Sequence, residues 1–261
     1  MSISRRNLLQ VTASGALLAG CAHPPAAPAD GSSPVPPASR TSAAPPATGT
    51  PPASPTAVPA PPLPDQVEHG PRDRPQVALT FHGQGEPALA TALLAEAERA
   101  GARLTVLAVG SWLDAYPQLA RRILDGGHEL GNHTQTHGNI DAMERATAAA
   151  EIAGCAERLR RLTGSPGRWF RPSQGRLATP LVVRLARQAG YPHLLSYDVD
   201  PRDYSDPGAD AVRSETARLT RNGSVVSLHF GHAGTVAALP GILDDLHRRG
   251  IRAVTTSELL A

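Results

Sequence analysis

The chain first becomes regular at Gln76-Val77-Ala78-Leu79-Thr80-Phe81, a short apolar run that is typical of a buried β-strand. A helix-length amphipathic segment follows at residues 86–100 and is stopped by Gly101. The two together predict a strand–helix unit. If such units repeat, they predict a parallel sheet that is either open and doubly wound or closed into a barrel.

The same alternation continues to the end of the chain. Further predicted strands lie at 104–109, 129–132, 169–170, 194–197, 225–228 and 251–254, and further predicted helices at 116–124, 142–162, 180–189, 209–219 and 236–249. About seven strands alternate with helices, which predicts an α/β fold but does not choose between an open and a closed sheet. In both forms ligands bind beyond the carboxyl ends of the strands, so the polar residues after each apolar run are the candidates for function.

The N-terminal quarter has a different composition. Most of the 26 prolines lie before residue 65, whereas every Phe, Trp and Tyr lies after residue 80. Residues 22–68 are rich in Pro, Ala and Ser and carry few large apolar side chains, so they predict a disordered spacer. Residues 69–261 are long enough to form one folded domain with a sizeable core.

Residues 1–21 predict an export signal. Arg5 and Arg6 precede a short apolar stretch, as in twin-arginine signals, and Leu18-Ala19-Gly20-Cys21 resembles a bacterial lipobox. We therefore expect cleavage before Cys21, lipidation of its thiol, and a cell-surface protein anchored to the outer face of the cytoplasmic membrane. A plain secretory peptide is the alternative. Because a lipidated Cys21 cannot pair with Cys155, we expect no disulfide.

Charge and hydropathy exclude several classes of protein. Lys plus Arg total 25 against 23 for Asp plus Glu, a formal net charge of +2, and the arginines are spread along the chain. No basic tract favours nucleic acid, so we expect no nucleic-acid partner, and we expect a monomer. No apolar run approaches the roughly 20 residues needed to span a bilayer, which excludes a multi-span membrane protein.

Chemically versatile side chains follow the predicted strands. They are His82, His133, His137, Arg171, Asp200, Asp203 and His229. Convergence of such residues at one edge of a sheet is typical of a catalytic site. His133 and His137 are four residues apart, so on a helical turn both imidazoles would point the same way and could chelate one divalent ion, zinc or a similar metal.

These residues resemble the polysaccharide deacetylases, the NodB-homology or carbohydrate esterase family 4 group. His133-Thr134-Gln135-Thr136-His137 is similar to the family's metal-binding motif His-Ser/Thr-x-x-His. The other similar segments, in the family's order, are Val77-Ala78-Leu79-Thr80-Phe81, Phe170-Arg171-Pro172, Asp200-Pro201-Arg202-Asp203-Tyr204, Ser227-Leu228-His229 and the tail from Thr235 to Leu260. The resemblance covers nearly all of 69–261 and implies a deformed (β/α) barrel of about seven parallel strands.

The resemblance also implies a reaction. A family member uses a metal and an aspartate base to hydrolyse the amide of an N-acetylated glycan, and a histidine protonates the leaving amine. Carried over, His133 and His137 are metal ligands and His229 is the general acid. Arg171 matches the arginine that orients the base, and Asp203 matches the carboxylate that holds the acid histidine. We therefore expect a hydrolase of carbon–nitrogen bonds other than peptide bonds, which uses a divalent metal and acts on an acetylated glycan; zinc is the expected metal, and cobalt and nickel are the alternatives.

The first motif departs from the family. Where the family has Thr-Phe-Asp-Asp-Gly, this chain has His82 at the base position and Gly83 at the position of the metal-ligand aspartate. His82 could turn to the metal and form a three-histidine site, which we favour; it could act as the base beside a weak two-histidine site; or Glu86 could approach the metal. A fourth interpretation is a catalytically inactive, surface-anchored module that binds glycan or metal.

The third motif departs as well. Ser173 and Gln174 stand where the family has proline and tyrosine. In the family, the backbone amide of that tyrosine helps to stabilise the oxyanion. A backbone donor survives a change of side chain, so Gln174 could still supply it.

Overall fold

The computed structural model describes residues 62–261, in which most of the predicted strands and helices occur in the predicted order. The strands are β1 (Gln66–Val67), β2 (Gln76–Gly83), β3 (Thr105–Ala108), β4 (Glu129–Asn132), β5 (Leu194–Leu195), β6 (Val225–His229) and β7 (Arg252–Ala253). The helices are α1 (Pro87–Arg99), α2 (Gly110–Ala115), α3 (Gln118–Asp125), α4 (Arg145–Thr163), α5 (Pro180–Gln188), α6 (Ala209–Leu219), α7 (Ala233–Arg248) and α8 (Thr256–Leu259). Short 3-10 turns occupy Ile140–Ala142 and Asp203–Ser205. The predicted signal and lipid-anchor residues lie outside the described part.

The named strands all pair in parallel, which confirms the predicted α/β class. β4, β3, β2 and β6 are neighbours in that order, β7 pairs with the start of β2, and β1 pairs with β5. Single-residue bridges extend these relations: Phe170 pairs with both Asn132 of β4 and Leu194 of β5, and Val199 pairs with Val226 of β6. The pairing therefore continues beyond β4 at one end of the row β4-β3-β2-β6 and beyond β6 at the other, as in a deformed barrel.

The strand predicted at 169–170 does not form and is reduced to the bridge at Phe170. Its continuation is blocked two residues later by Pro172, which has no backbone N–H to donate to a ladder. The helix predicted at 116–124 forms as α3 but begins at Gln118, and a short helix that was not predicted, α2, precedes it on the other side of Tyr116-Pro117. A residue before proline avoids the helical region, and Tyr116 has φ −133° and ψ 61°.

The fold includes residues that precede the predicted domain start at residue 69. Gln66 and Val67, inside the predicted spacer 22–68, pair with Leu194 and Leu195. Val67 is buried, and the Gln66 side chain exchanges two hydrogen bonds with the backbone of Ala178. These contacts explain why a segment of polar and proline-rich composition still contributes one short strand to the fold.

Side chains of β2 point alternately to the two faces of the sheet, which places them in two different parts of the core and directs His82 towards the site. Val77, Leu79 and Phe81 pack with the helices in the largest apolar cluster, and each such buried side chain contributes roughly 1.5–3 kcal/mol. Ala78 packs into a second cluster on the opposite face. His82 is on the same face as Ala78, because side chains two residues apart share a face, and it lies at the carboxyl end of the strand.

Among residues 62–261, no helix combines the length and the hydropathy that a membrane span needs.

Candidate active site

His82 is held between two neighbouring strands. It is in register with His229 on β6 and with Leu107 on β3. The His82 and His229 rings stack at 25° with 4.2 Å between their centroids. His82 and His229, which follow the predicted first and sixth strands, therefore lie next to each other, as the sequence predicts.

Three histidines converge there. His82 Nδ1 lies 2.7 Å from His133 Nε2, and His137 Nε2 lies 3.1 Å from the same atom. All three ligand nitrogens lie within 4.8 Å of one another. Imidazole nitrogens at these separations need a proton or a cation between them, because their lone pairs repel each other.

The segment from His133 to His137 is a loop, so the predicted helical turn is wrong. Thr134 and His137 have φ values of 69° and 63°, in the left-handed region that residues other than glycine rarely adopt. Local contacts compensate for this strain: Asn132 Oδ1 accepts the Thr134 N–H at 2.8 Å, and Thr134 Oγ1 accepts the His137 N–H at 3.2 Å. The imidazoles meet because the loop is held in this shape.

Glu151 of α4 supports the same loop. Its carboxylate is buried and accepts the Thr136 backbone N–H at 2.8 Å and the Thr136 hydroxyl at 2.7 Å. A second group that orients a ligand loop is typical of metal sites. Sequence reasoning misses this role, because Glu151 lies in a helix whose pattern is that of an ordinary amphipathic face.

The cluster favours neutral imidazoles, the form that binds metal. Burial is the main cause that holds the pKa of His82 and of His133 well below the usual value, and burial also lowers the pKa of His137. His133 Nδ1 donates to the Arg171 carbonyl at 3.0 Å, so its Nε2 presents a lone pair to the cluster. His82 Nε2 lies 3.0 Å from Ser227 Oγ, whose hydroxyl oxygen can accept a hydrogen bond from the Nε2–H, and in that tautomer Nδ1 presents its lone pair to the cluster.

Of the ligand arrangements considered for the first motif, the three-histidine set fits this geometry best. Three imidazoles with an open fourth position are a known catalytic zinc arrangement. A side chain at Gly83 has no room, since a Cβ there would lie 2.9 Å from both Ala108 Cα and Val106 Cγ1. Glu86 lies at the start of α1 and does not belong to the described cluster.

Arg171 lies fully buried beneath His82. Its guanidinium donates to Thr80 Oγ1 and Ser196 O at 2.9 Å and to Leu195 O at 3.0 Å, and its Nη1 is 3.4 Å from His82 Nε2. Burial lowers the pKa of Arg171 to about 10. The arginine thus faces the predicted base position, where it meets an imidazole and neutral oxygens.

His229 and Asp203 form a hydrogen-bonded pair beside the cluster. His229 Nδ1 donates to Asp203 Oδ1 at 2.7 Å, and Asp203 Oδ2 accepts the His229 backbone N–H at 2.8 Å and the Thr235 hydroxyl at 2.6 Å. Asp203 is 1% exposed. The carboxylate therefore fixes the orientation of the His229 ring and leaves Nε2 pointing away from Asp203. The general-acid role that the family resemblance implies for His229 requires this orientation.

A cavity of about 600 Å³ opens over these residues. Its walls include the predicted residues His82, His137, Gln174, Asp200 and His229, together with Gln84, Gly85, Gly175, Arg176, Tyr197, Tyr204, Ser227, Gly231 and His232. The Gln174 side chain donates to His137 O at 2.8 Å, and the oxyanion role of the Gln174 backbone N–H stays a prediction. Sequence reasoning misses His232, although it follows β6 three residues after His229.

Comparison with known proteins agrees with the motifs. The family profile described as polysaccharide deacetylase matches residues 69–194. A peptidoglycan-N-acetylglucosamine deacetylase of Bacillus cereus is 31% identical over 194 residues, which cover 73% of this chain and 90% of the relative. The chain belongs to the polysaccharide deacetylase family.

Solved structures of this deacetylase family share the fold. The Bc1960 peptidoglycan N-acetylglucosamine deacetylase superposes with a TM-score of 0.71 at 25% identity, over 75% of this chain and 92% of that one. A carbohydrate esterase family 4 pseudoenzyme from Bacillus anthracis superposes with the same score at 22% identity, over 75% of this chain and 69% of that one. Both an enzyme and a pseudoenzyme are therefore built on this fold.

Proposed function

We propose that this deacetylase-family chain is a metal-dependent hydrolase that removes N-acetyl groups from cell-wall or extracellular polysaccharide. The observation that carries the proposal is the position of His82. It occupies the place of a lost aspartate, yet its Nδ1 lies 2.7 Å from His133 Nε2 in a cluster with His137. The His82 nitrogen would thus be the third ligand in place of the missing carboxylate.

The residues around the cluster supply the remaining chemistry. A zinc, cobalt or nickel ion held by His82, His133 and His137 would polarise the acetamide carbonyl and activate a water molecule. His229 is the adjacent imidazole outside that cluster, so it receives the proton from water and then delivers it to the amine nitrogen as the carbon–nitrogen bond breaks. Asp203 stabilises the positive ring between those two steps. The Gln174 backbone N–H is the donor for the developing oxyanion.

The test measures metal content and acetate release together. The full chain carrying Cys21→Ser, which prevents lipidation, is compared with the same chain bearing His82→Ala or His133→Ala. His247→Ala is the matched control, because His247 is exposed on α7 and does not line the cavity. We expect one equivalent of metal and metal-dependent acetate release from an N-acetylglucosamine polymer, with both lost in the two cluster variants. Retention of both by His82→Ala would contradict the proposal.

A second candidate function is a surface module that binds glycan or metal without turnover. The observation that favours it is that His82 and Gly83 occupy the two positions where the family has aspartates, so the first motif has no carboxylate. This candidate predicts metal binding and glycan binding by the same protein with no acetate release under any metal. The acetate assay above separates the two functions.

We also propose that the protein is exported and anchored by a lipid on Cys21. The support is the order of Arg5-Arg6, the apolar stretch and the lipobox-like Leu18-Ala19-Gly20-Cys21. Expression in a bacterial host followed by membrane fractionation tests it. The unsubstituted chain should sediment with membranes and Cys21→Ser should not; equal sedimentation of the two would exclude the anchor.

A further inference from the structure

A second histidine–aspartate pair lies at the rim of the cavity. His232 Nδ1 donates to Asp206 Oδ1 at 2.8 Å. The pair repeats the arrangement of the inner one: Asp203 and Asp206 stand at the two ends of one 3-10 turn, and His229 and His232 are three residues apart at and after the end of β6. The two imidazoles have ring centroids 5.8 Å apart and both line the cavity.

The outer pair has little to contribute to stability. The Asp206 side chain is 69% exposed and that of His232 is 25% exposed, and solvent-exposed ion pairs contribute little to folding. Yet the turn that carries Asp206 is held in a sparsely populated conformation, with φ 55° at Arg202 and φ 52° at Asp206. Backbone strain of this kind is concentrated at functional sites.

The chemistry of the pair suits a hydroxyl group. A carboxylate can only accept, so the proton of the neutral ring lies on Nδ1 and the lone pair lies on Nε2. A fixed acceptor at a cavity wall recognises an O–H donor, and a glycan presents many of them. Tyr204, 49% exposed on the same turn and in the same cavity wall, adds an aromatic surface beside it.

We infer that His232 is a glycan-binding residue, which accepts a hydrogen bond from a sugar hydroxyl beside the reacting acetamido group, and that Asp206 is the residue that positions it. This inference rests on the proposed glycan substrate. It assigns the outer pair to substrate binding and leaves proton transfer to the inner pair.

The experiment measures binding and turnover separately on the full chain carrying Cys21→Ser. The probe is the N-acetylglucosamine tetramer, titrated calorimetrically, and acetate release from it gives KM and kcat. The variants are His232→Ala, Asp206→Gly and Asp206→Asn. Glycine accepts the positive φ at this position, so Asp206→Gly removes the carboxylate without added strain, whereas Asn keeps an acceptor oxygen. His247→Ala, at the other end of α7, is the control.

We expect His232→Ala to weaken tetramer binding roughly three- to tenfold, the range for one lost hydrogen bond, and to raise KM by the same factor with a smaller change in kcat. Asp206→Gly should behave similarly and Asp206→Asn should retain most of the affinity. Weaker binding by His232→Ala in a protein that releases no acetate would support the inference and refute the hydrolase. Unchanged Kd and KM in both His232→Ala and Asp206→Gly would overturn the inference, as would failure of the unsubstituted chain to bind the tetramer.

Discussion

Replacing Asp203 by asparagine tests whether the His229 pair is built for proton transfer. Asp203 is buried and its two carboxylate oxygens accept three hydrogen bonds, from the His229 ring, the His229 backbone and the Thr235 hydroxyl. Asparagine has nearly the same shape but offers one acceptor oxygen and one NH₂ donor. The substitution therefore changes hydrogen-bond polarity and charge while it leaves the packing almost intact.

The geometry determines how the asparagine must sit. The His229 backbone N–H can only donate, so the amide oxygen takes the Oδ2 position and the NH₂ faces His229 Nδ1. The ring must then carry its proton on Nε2, and a buried, charge-assisted hydrogen bond is lost. We expect the free energy of unfolding to fall by about 1–3 kcal/mol. We expect kcat to fall roughly 10²- to 10⁴-fold, because Nε2 can no longer receive a proton.

The assay combines urea unfolding, followed by far-ultraviolet circular dichroism, with acetate release at saturating substrate. The matched stability control is Asp206→Asn, at the end of the same turn but exposed, for which we expect a change of less than about 0.5 kcal/mol. If the unfolding free energy of Asp203→Asn matches that of the control and its kcat equals that of the unsubstituted chain, Asp203 neither stabilises the fold nor assists proton transfer by His229.

Buried contacts at Gly83, Glu151 and Cys155 support three more predictions. Gly83→Asp should lower the free energy of unfolding by about 1–3 kcal/mol in urea titrations, because its Cβ would meet Ala108 Cα at 2.9 Å; unchanged stability would contradict this. Glu151→Ala should weaken zinc affinity roughly 10- to 100-fold in calorimetric titration, since the Thr136 contacts are lost, and an unaltered affinity would exclude a positioning role. Burial raises the pKa of the Cys155 thiol to about 12, so this thiol should be unreactive at pH 8 in the folded protein. In a chain whose other cysteine is replaced by serine, we expect a thiol reagent to label Cys155 only after unfolding. Fast labelling of the folded protein would be inconsistent with that burial.

Much of the fold is predictable from short-range patterns. The apolar run that becomes β2 and the amphipathic segment that becomes α1 lie within a few residues of their predicted bounds, because periodicity and a stop at Gly101 are local signals. The strand predicted at 169–170 is wrong, since two adjacent apolar residues do not show whether strand pairing can continue through the nearby Pro172, which has no N–H to donate. Local patterns also miss β1, because Val67 is buried by pairing with a strand far along the chain.

The candidate site shows the same division. Strand ends correctly bring His82 and His229 together, because parallel strands end at one edge of the sheet. The helical turn predicted for the segment from His133 to His137 is wrong, since its shape depends on backbone N–H groups that donate to Asn132 and Glu151, and the spacing of the histidines does not reveal those acceptors. His232 follows a strand end and so lies where a candidate was expected, but its pairing with Asp206 has no signal in the sequence because the two residues lie on different loops.

The proposed hydrolase requires that a three-histidine centre, with no carboxylate in the first motif, supports hydrolysis. The most direct measurement is acetate release from an N-acetylglucosamine polymer by the full chain carrying Cys21→Ser, first after chelator treatment and then after zinc is restored. We expect no release without metal, recovery on addition of zinc, and no recovery in His82→Ala. Absence of release from the zinc-loaded, folded protein, or equal release by His82→Ala, would contradict it.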